Sequence, residues 1–320
     1  MLALVFSLSL LTPLDPSAPP APGVSEGFDV VALGVQGGLA EDDLTAFLIS
    51  RKGRQAYLAL DAGSVVSGLR RVPGVVPGHM LREQIRGWAI THPHLDHVEG
   101  LAIAVVDDAG IKPVFGFSPT IVALRDHVFN NVLWPNFGNE GNLPLRRLRY
   151  ERMAAGRRVH FDDAGFTIEA LPLSHGGVLS TAFLIGDGDD VVAFLGDTGP
   201  DLVEGGTRLA HLWERLAPLA RGRKLRGLFI ECSFPSARPD KLLFGHLTPR
   251  HLLSELGAFA ALVDPQSPST ALNFPIVVMH IKPGLDGGKS VRDVVISEID
   301  AGNKLGLRFL FPAQGDRFGL

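Results

Sequence analysis

The sequence predicts an α/β fold in which two mixed β-sheets pack face to face with helices on their outer sides. Three observations lead there. Apolar runs of strand length, bounded by glycine, proline and aspartate, fall into two groups, one before residue 92 and one after residue 165. Segments with helical spacing are interleaved with both groups. No break in composition divides the 320 residues, so both groups are expected to share one domain spanning residues 24–320.

Residues 1–23 stand apart. Leu2–Leu11 is an apolar run too short to span a bilayer but of the length of a signal h-region. Pro13–Gly23 is rich in proline and alanine, and Ala21-Pro22-Gly23 offers a small-residue cleavage site. An export signal and a periplasmic or secreted protein are expected. No Lys or Arg precedes the apolar run, so a buried N-terminal strand in a cytoplasmic protein is the alternative. No other stretch reads as a membrane span.

Phe28–Gly34 reads as the first strand, followed by a turn at Gly37-Gly38. Thr45–Ile49 and Tyr57–Gly63 read as further strands between polar turns. Arg82–Arg86 reads as helical, and Gly87–Thr91 as a strand. After Leu95, Val98, Leu101, Ala102 and Val105 recur at helical spacing, which puts Asp96 and His97 at a helix start. Residues 118–158 read as helical and irregular, with an aromatic-rich piece at Phe129–Phe137. Strands resume at Phe166–Leu171. Thr181–Gly186 and Val191–Leu195 form a hairpin about the turn Asp187-Gly188-Asp189-Asp190. A helix at Leu209–Leu216, a strand at Leu228–Glu231, a helix at Thr248–Val263 and a strand at Ile276–Met279 complete the pattern.

Composition narrows the function. The chain is 46% hydrophobic and 20% charged, enough to bury a substantial core. A net charge of −4 argues against a general nucleic-acid binder. The single cysteine, Cys232, excludes an internal disulfide framework and a cysteine-built zinc site.

The densest chemical signal is His92-Pro93-His94-Leu95-Asp96-His97, four imidazole or carboxylate donors within six residues at a strand-to-helix turn. Such side chains ligate zinc-like ions, and four on one turn can address two ions. In extended backbone His92 and His94 point the same way, while Asp96 and His97 turn into the helix. Further donors stand at strand ends: His175 before Gly176-Gly177, Asp197 after Val191–Gly196, and His280 after Ile276–Met279. His246 precedes the helix that starts at Thr248. Rigid strand ends are where α/β folds build sites.

These residues, in order, resemble the metallo-β-lactamase fold. Thr91–His97, Leu173-Ser-His-Gly176, Gly196-Asp-Thr-Gly199, Ile230-Glu-Cys-Ser-Phe234, Gly245-His-Leu247 and His280-Ile-Lys-Pro283 together look like the class II cyclic-nucleotide phosphodiesterases. The likeness runs from about residue 28 to about residue 315. One departure is Val105-Val106-Asp107-Asp108, where that family usually carries a small Ser-Ala or Ser-Pro pair.

The resemblance implies two divalent cations, expected to be Zn²⁺. His92, His94 and His175 would hold one, Asp96, His97 and His280 the other, and Asp197 would bridge them. It implies hydrolysis of 3′,5′-cyclic AMP or GMP to the 5′-monophosphate by a hydroxide on the zinc pair, with a small-molecule substrate and no nucleic-acid partner. His246 is the candidate general acid, Glu231 orients it, and Asp96 completes the catalytic set. In a competing assignment His246 is the ligand and His280 supports it; the strand end favours His280. Asp61 reads as a buttress of the histidine loop or as a turn residue before Gly63.

Phe129, Asn130, Trp134 and Asn136 are the substrate-binding candidates, the aromatic rings as surfaces for a purine. The arginines between Arg146 and Arg158 read as a solvated face. Two other readings stand: another hydrolase of the fold (an RNA-processing nuclease, lactonase or sulfatase), or a metal-binding module without catalysis.

Overall fold

A computed structural model of the chain describes residues 27–285 and 288–320, so the expected export segment lies outside the described residues. In chain order the strands are β1 (Phe28–Gly34), β2 (Ala46–Arg51), β3 (Tyr57–Leu60), β4 (Ile85–Ala89), β5 (Lys112–Phe117) and β6 (Leu148–Met153). Then follow β7 (Arg158–Phe161), β8 (Phe166–His175), β9 (Val178–Asp187), β10 (Asp190–Leu195), β11 (Leu225–Glu231), β12 (Ile276–Met279), β13 (Phe309–Leu310) and β14 (Arg317–Gly319).

They form two seven-stranded sheets, ordered β14-β1-β2-β3-β4-β5-β6 and β13-β12-β11-β10-β9-β8-β7. Each is mixed. From β14 to β3 pairing is antiparallel and from β3 to β6 parallel; β7 to β10 pair antiparallel and β10 to β13 parallel.

Side-chain alternation builds three apolar layers from these two sheets. In β2, Phe47 and Ile49 face the second sheet while Ala46 and Leu48 face outward to the helices. In β10, Val192 and Phe194 point between the sheets, and Ala193 and Leu195 pack under helices Arg208–Arg221 and Pro249–Val263. Strands buried on both faces read as unbroken apolar runs, which is why β1, β2, β10 and β12 were legible. Phe47 lies at the centre, its ring 5.2 Å from Phe229 and 6.1 Å from Phe194. The result is the expected four-layer arrangement of helix, sheet, sheet and helix.

Several elements differ from the sequence reading. Residues 118–158 carry less helix than expected: only Ser118–Val128 is helical, and Leu148–Met153 is β6. There Leu148, Tyr150 and Met153 are buried while Arg149 and Arg152 are exposed, one on each face, so the basic stretch lies along the solvent-exposed edge of the sheet. Lys112–Phe117 and Arg158–Phe161 are strands the sequence reading passed over, as are the short β13 and β14. Helices Val65–Arg71 and Val291–Gly302 were also passed over. The expected helix at Arg82–Arg86 ends at Gln84, and Ile85 already belongs to β4. Among the described residues, no helix is long and apolar enough to cross a membrane.

The parallel halves of both sheets deliver their strand ends to one edge of the sandwich. β4 leads into Thr91 and His92, β10 into Asp197, β11 ends at Glu231 and β12 leads into His280. His175 arrives differently. It ends β8 opposite Val178, and Gly176 and Gly177 close the hairpin, both at positive φ as a tight two-residue turn requires.

Candidate metal centre

The histidines that meet at this edge are locked from behind. Asp61, fully buried, accepts hydrogen bonds from Thr91 N (2.8 Å), Thr91 Oγ1 (2.9 Å) and His97 Nδ1 (2.8 Å). Because the Thr91 hydroxyl donates to Asp61, its oxygen accepts from His92 Nδ1, 3.0 Å away. Thr45 Oγ1 donates to the Gln36 carbonyl and so accepts from His280 Nδ1 at 2.8 Å. His175 Nδ1 donates to the Gly245 carbonyl at 2.8 Å. Each of the four rings spends its Nδ1–H on a fixed acceptor, and Nε2 is left to face the centre. A partner on one ring nitrogen commonly sets which nitrogen a metal-binding histidine offers.

Those Nε2 atoms converge on Asp197 Oδ2: His280 at 3.0 Å, His97 at 3.3 Å, His175 at 3.8 Å and His92 at 3.9 Å. His94 approaches from the exposed side, its Nδ1 3.1 Å from both His92 Nε2 and His175 Nε2. His280 Nε2 also lies 3.5 Å from Asp96 Oδ2, which accepts from Gly38 N at 3.0 Å. The seven expected ligands therefore come together, as His92, His94 and His175 on one side and Asp96, His97 and His280 on the other, with Asp197 between them.

The donor set fits divalent cations. Ligands held about 2.0–2.1 Å from one ion at tetrahedral angles stand roughly 3.3 Å apart, close to the nitrogen separations in the first trio. His97 Nε2, His280 Nε2 and Asp197 Oδ1 are buried and have no hydrogen-bond partner within the protein. Buried polar atoms are rarely left so unless something else occupies the site.

Electrostatics point the same way. Burial holds His92 well below the ordinary imidazole value and takes His175 down to about 4, so both rings are neutral donors. At His97 burial acts in the same direction but is outweighed by Asp197 and Asp61, which lift it well above that value. Asp197 stays far below the usual carboxylate range despite its burial, because His280 and His97 flank it. The centre draws positive charge.

Beside it sits a buried carboxylate–imidazole pair. Glu231, fully buried, accepts from His246 Nδ1 at 2.8 Å. It is held in place by Thr198 N, Ser233 N, Ser233 Oγ and Leu247 N, at 3.1, 3.1, 2.7 and 3.2 Å. Burial favours its neutral form, but the facing His246 brings its pKa below the usual range. Burial would lower His246; Glu231 and Asp197 overcome this and raise it. The other nitrogen, Nε2, accepts from Lys282 Nζ at 2.8 Å. Both nitrogens of His246 are thus engaged while His280 Nε2 has no hydrogen-bond partner, and His246 Nδ1 also lies 3.7 Å from Asp197 Oδ2, so both rings border the centre.

Backbone geometry supports the same places. Asp61 and His280 both lie in the left-handed region, at φ 54° and 60°, which is uncommon for residues other than glycine and concentrates at functional sites. Gly37 lies so close to the His280 ring that a Cβ there would stand 2.3 Å from Nε2. The glycine turn after β1 is therefore shaped by the His280 ring.

The aromatic-rich segment behaves otherwise. Phe129 is 1% exposed and packs into the outer core of the first sheet. Asn136 is fully buried, donating to the carbonyls of Glu140 and Asn142 and accepting from Gly138 N. For these two the expectation of a substrate surface is corrected: their side chains build the loop. Asn130 accepts from Val132 N and Leu133 N, and Trp134 packs against the same core. The sequence reading gave Thr45, Ser233 and Lys282 no role. Nothing local marks Thr45, which meets His280 across 235 positions; Lys282 stood inside the His-Ile-Lys-Pro string without an assigned partner.

Comparison with known proteins agrees with this geometry. The family described as cAMP phosphodiesterases class-II matches residues 73–315. A 3′,5′-cyclic-nucleotide phosphodiesterase of Aliivibrio fischeri is 38% identical over 309 residues, covering 91% of this chain and 92% of that protein. A probable 3′,5′-cyclic-nucleotide phosphodiesterase of Yersinia pestis is 37% identical over 330 residues, covering 98% and 92%. Among solved structures, unliganded yeast PDE1 superposes with a TM-score of 0.80 at 20% identity, covering 92% of this chain and 99% of that one. The metallo-β-lactamase fold protein YhfI of Bacillus subtilis follows at 0.62 and 16%, covering 92% and 100%. The two structures establish the fold as metallo-β-lactamase-like. Sharing the family's sequence pattern over most of its length, the chain belongs to the class-II cyclic-nucleotide phosphodiesterases.

Proposed function

We propose that the protein hydrolyses 3′,5′-cyclic nucleotides, cyclic AMP or cyclic GMP, to 5′-nucleoside monophosphates at this edge of the sandwich. The observation that carries the reading is the set of inward-facing Nε2 atoms around Asp197, standing beside the Glu231–His246–Lys282 chain in a member of this family.

His92, His94 and His175 would hold one divalent ion, and Asp96, His97 and His280 a second, with Asp197 reaching both. The nitrogen-rich donors suit Zn²⁺. Bound there, the ions would supply Lewis acidity toward the phosphoryl oxygens and make water acidic enough to act as a nucleophile near neutral pH.

The remaining work falls to the protein. Water oxygen adds to phosphorus, the bond from phosphorus to O3′ breaks, and O3′ must take a proton. His246 would deliver it from Nε2 once the Lys282 ammonium, which donates to that nitrogen here, turns to the phosphate and leaves Nε2 free to carry a proton. Glu231 holds Nδ1–H, fixes the ring and favours the protonated form, as a general acid near neutral pH requires. Lys282 places its ammonium where phosphate charge would collect. Asp61, Thr91 and Thr45 keep the ligand rings oriented.

Turnover of cyclic AMP and cyclic GMP tests the reading, alongside metal analysis, for the wild type and for Asp197→Ala. Expected are hydrolysis to the 5′-monophosphate, about two ions per wild-type chain, fewer in the variant, and loss of turnover with a chelator. Metal-replete protein that leaves both cyclic nucleotides intact across about pH 6–9 would refute it.

A further inference from the structure

We propose that the exposed ring of Phe244, backed by the guanidinium of Arg238, is the surface on which the base of a cyclic nucleotide lies. The inference rests on the activity proposed above and concerns how substrate is recognised.

The chain leaves the site at Glu231 and returns to it at His246, and the hydrogen bond between these two residues closes the loop at its neck. Three side chains gather on the loop. The Arg238 guanidinium lies 4.6 Å from the centre of the Phe234 ring and 6.0 Å from that of Phe244. Phe234 in turn meets the His246 ring edge-on, centres 5.7 Å apart, and Lys282 Nζ stands 5.8 Å from its centre. The cluster is therefore continuous with the Glu231–His246 pair.

Phe244 itself is 65% exposed, the only exposed Phe, Tyr or Trp side chain among the described residues. Water contact of that extent means the ring adds little to the core. Its backbone is unfavourable as well: φ is 54°, a region where glycine or asparagine sits far more easily than a bulky residue. The conformation is imposed by the site. A Cβ on Gly176 would fall 2.8 Å from the Phe244 carbonyl oxygen, and one on Gly245 would fall 2.2 Å from Gly176 N. The segment is thus pressed against the hairpin turn that carries His175. A large ring kept in an awkward conformation, outside the core and beside a reaction centre, calls for a ligand.

The loop is also ready-made. Arg238 Nε donates to the Leu242 carbonyl at 3.0 Å, Ser236 N donates to Glu298 Oε2 at 2.7 Å, and Arg250 pairs with Asp240. No ordering is needed before a base can bind. Two chain steps separate Phe244 from His246, so their Cα atoms lie within about 7 Å, the scale of a nucleoside. A flat π-system beside an arginine plane is the usual way a protein holds an unpaired base without reading its edges.

Two measurements test this on full-length, metal-loaded protein. One is kcat/KM for cyclic AMP relative to base-free ribose 3′,5′-cyclic phosphate. The other is fluorescence quenching of 2-aminopurine riboside 5′-monophosphate, a product analogue that reports stacking without turnover. Phe244→Ala is expected to lower the preference for cyclic AMP by about 5- to 140-fold, the equivalent of about 1–3 kcal/mol for one stacked base. It should also weaken the quenching, and Phe244→Trp should restore both. A variant that loses both substrates in equal proportion and quenches like wild type overturns the proposal. If wild type turns over neither substrate, the activity reading fails, and the quenching comparison still decides the platform.

Discussion

Asp61→Asn is the most informative single change, because Asp61 touches no substrate and acts only through what it holds. The Thr91 amide binds one carboxylate oxygen, while Thr91 Oγ1 and His97 Nδ1 share the other. An asparagine has one acceptor oxygen. If that oxygen serves Thr91 Oγ1 and His97, the new NH₂ faces the Thr91 N–H; the opposite flip sets NH₂ against two donors. The first arrangement is the cheaper, and it leaves two buried donors, the Thr91 N–H and the new NH₂ facing it, without an acceptor. That costs about 2–6 kcal/mol of stability in metal-free protein, about 1–3 for each donor. The metal site suffers separately. With a neutral partner on Nδ1, the His97 ring is a poorer donor, and removal of such a partner typically weakens metal binding 10- to 100-fold, about 1.4–2.7 kcal/mol. Competition against a chromophoric chelator measures the second effect, and denaturant unfolding in the presence of EDTA the first. An Asp61→Asn protein with wild-type metal affinity and wild-type unfolding midpoint would show that the locking of His97 from behind has no energetic consequence.

Thr45→Val removes the acceptor for His280 Nδ1 and frees that ring to change tautomer; roughly tenfold weaker binding of one ion is expected, with the other unaffected, read by the same competition. Metal-free protein should be most stable near pH 6–7. As pH falls below 6.5 the unfolded chain takes up protons that the buried rings refuse, His175 until about pH 4 and His92 until well below its ordinary value, which for His175 alone removes about 3 kcal/mol. Above 6.5 the raised pKa values of His97 and His246 act oppositely, and their contribution fades as pH climbs through them. Unfolding free energy measured from pH 4 to 9 in EDTA checks both slopes; a monotonic curve would contradict the assignment. Phe47→Ala should destabilise the sandwich by about 3–5 kcal/mol, since it vacates the contact with Phe194 and Phe229 between the sheets, and urea unfolding reads this directly.

Legibility varied along the chain for reasons seen in particular residues. Phe28–Gly34 and Ile276–Met279 were readable because both faces of a central strand are apolar. The two-residue strand Phe309–Leu310 and the arginine-bearing edge strand Leu148–Met153 have no such run to show. The aromatic-rich segment misled because an aromatic ring serves a core as readily as a purine, and only burial separates the two, as at Phe129 and Phe244.

The sequence by itself determined the fold class and the family pattern, and it named seven candidate donors. These depend on residue type and on short-range periodicity, which any segment carries within itself. Tertiary structure alone decided which ring nitrogen each histidine presents and that His280, not His246, keeps a bare one; it also set which aromatic ring meets solvent. Those outcomes depend on partners far away in the chain, such as Thr45 against His280 and Glu231 against His246. A hydrogen bond between distant segments forms only once the sheets have brought both ends to one edge.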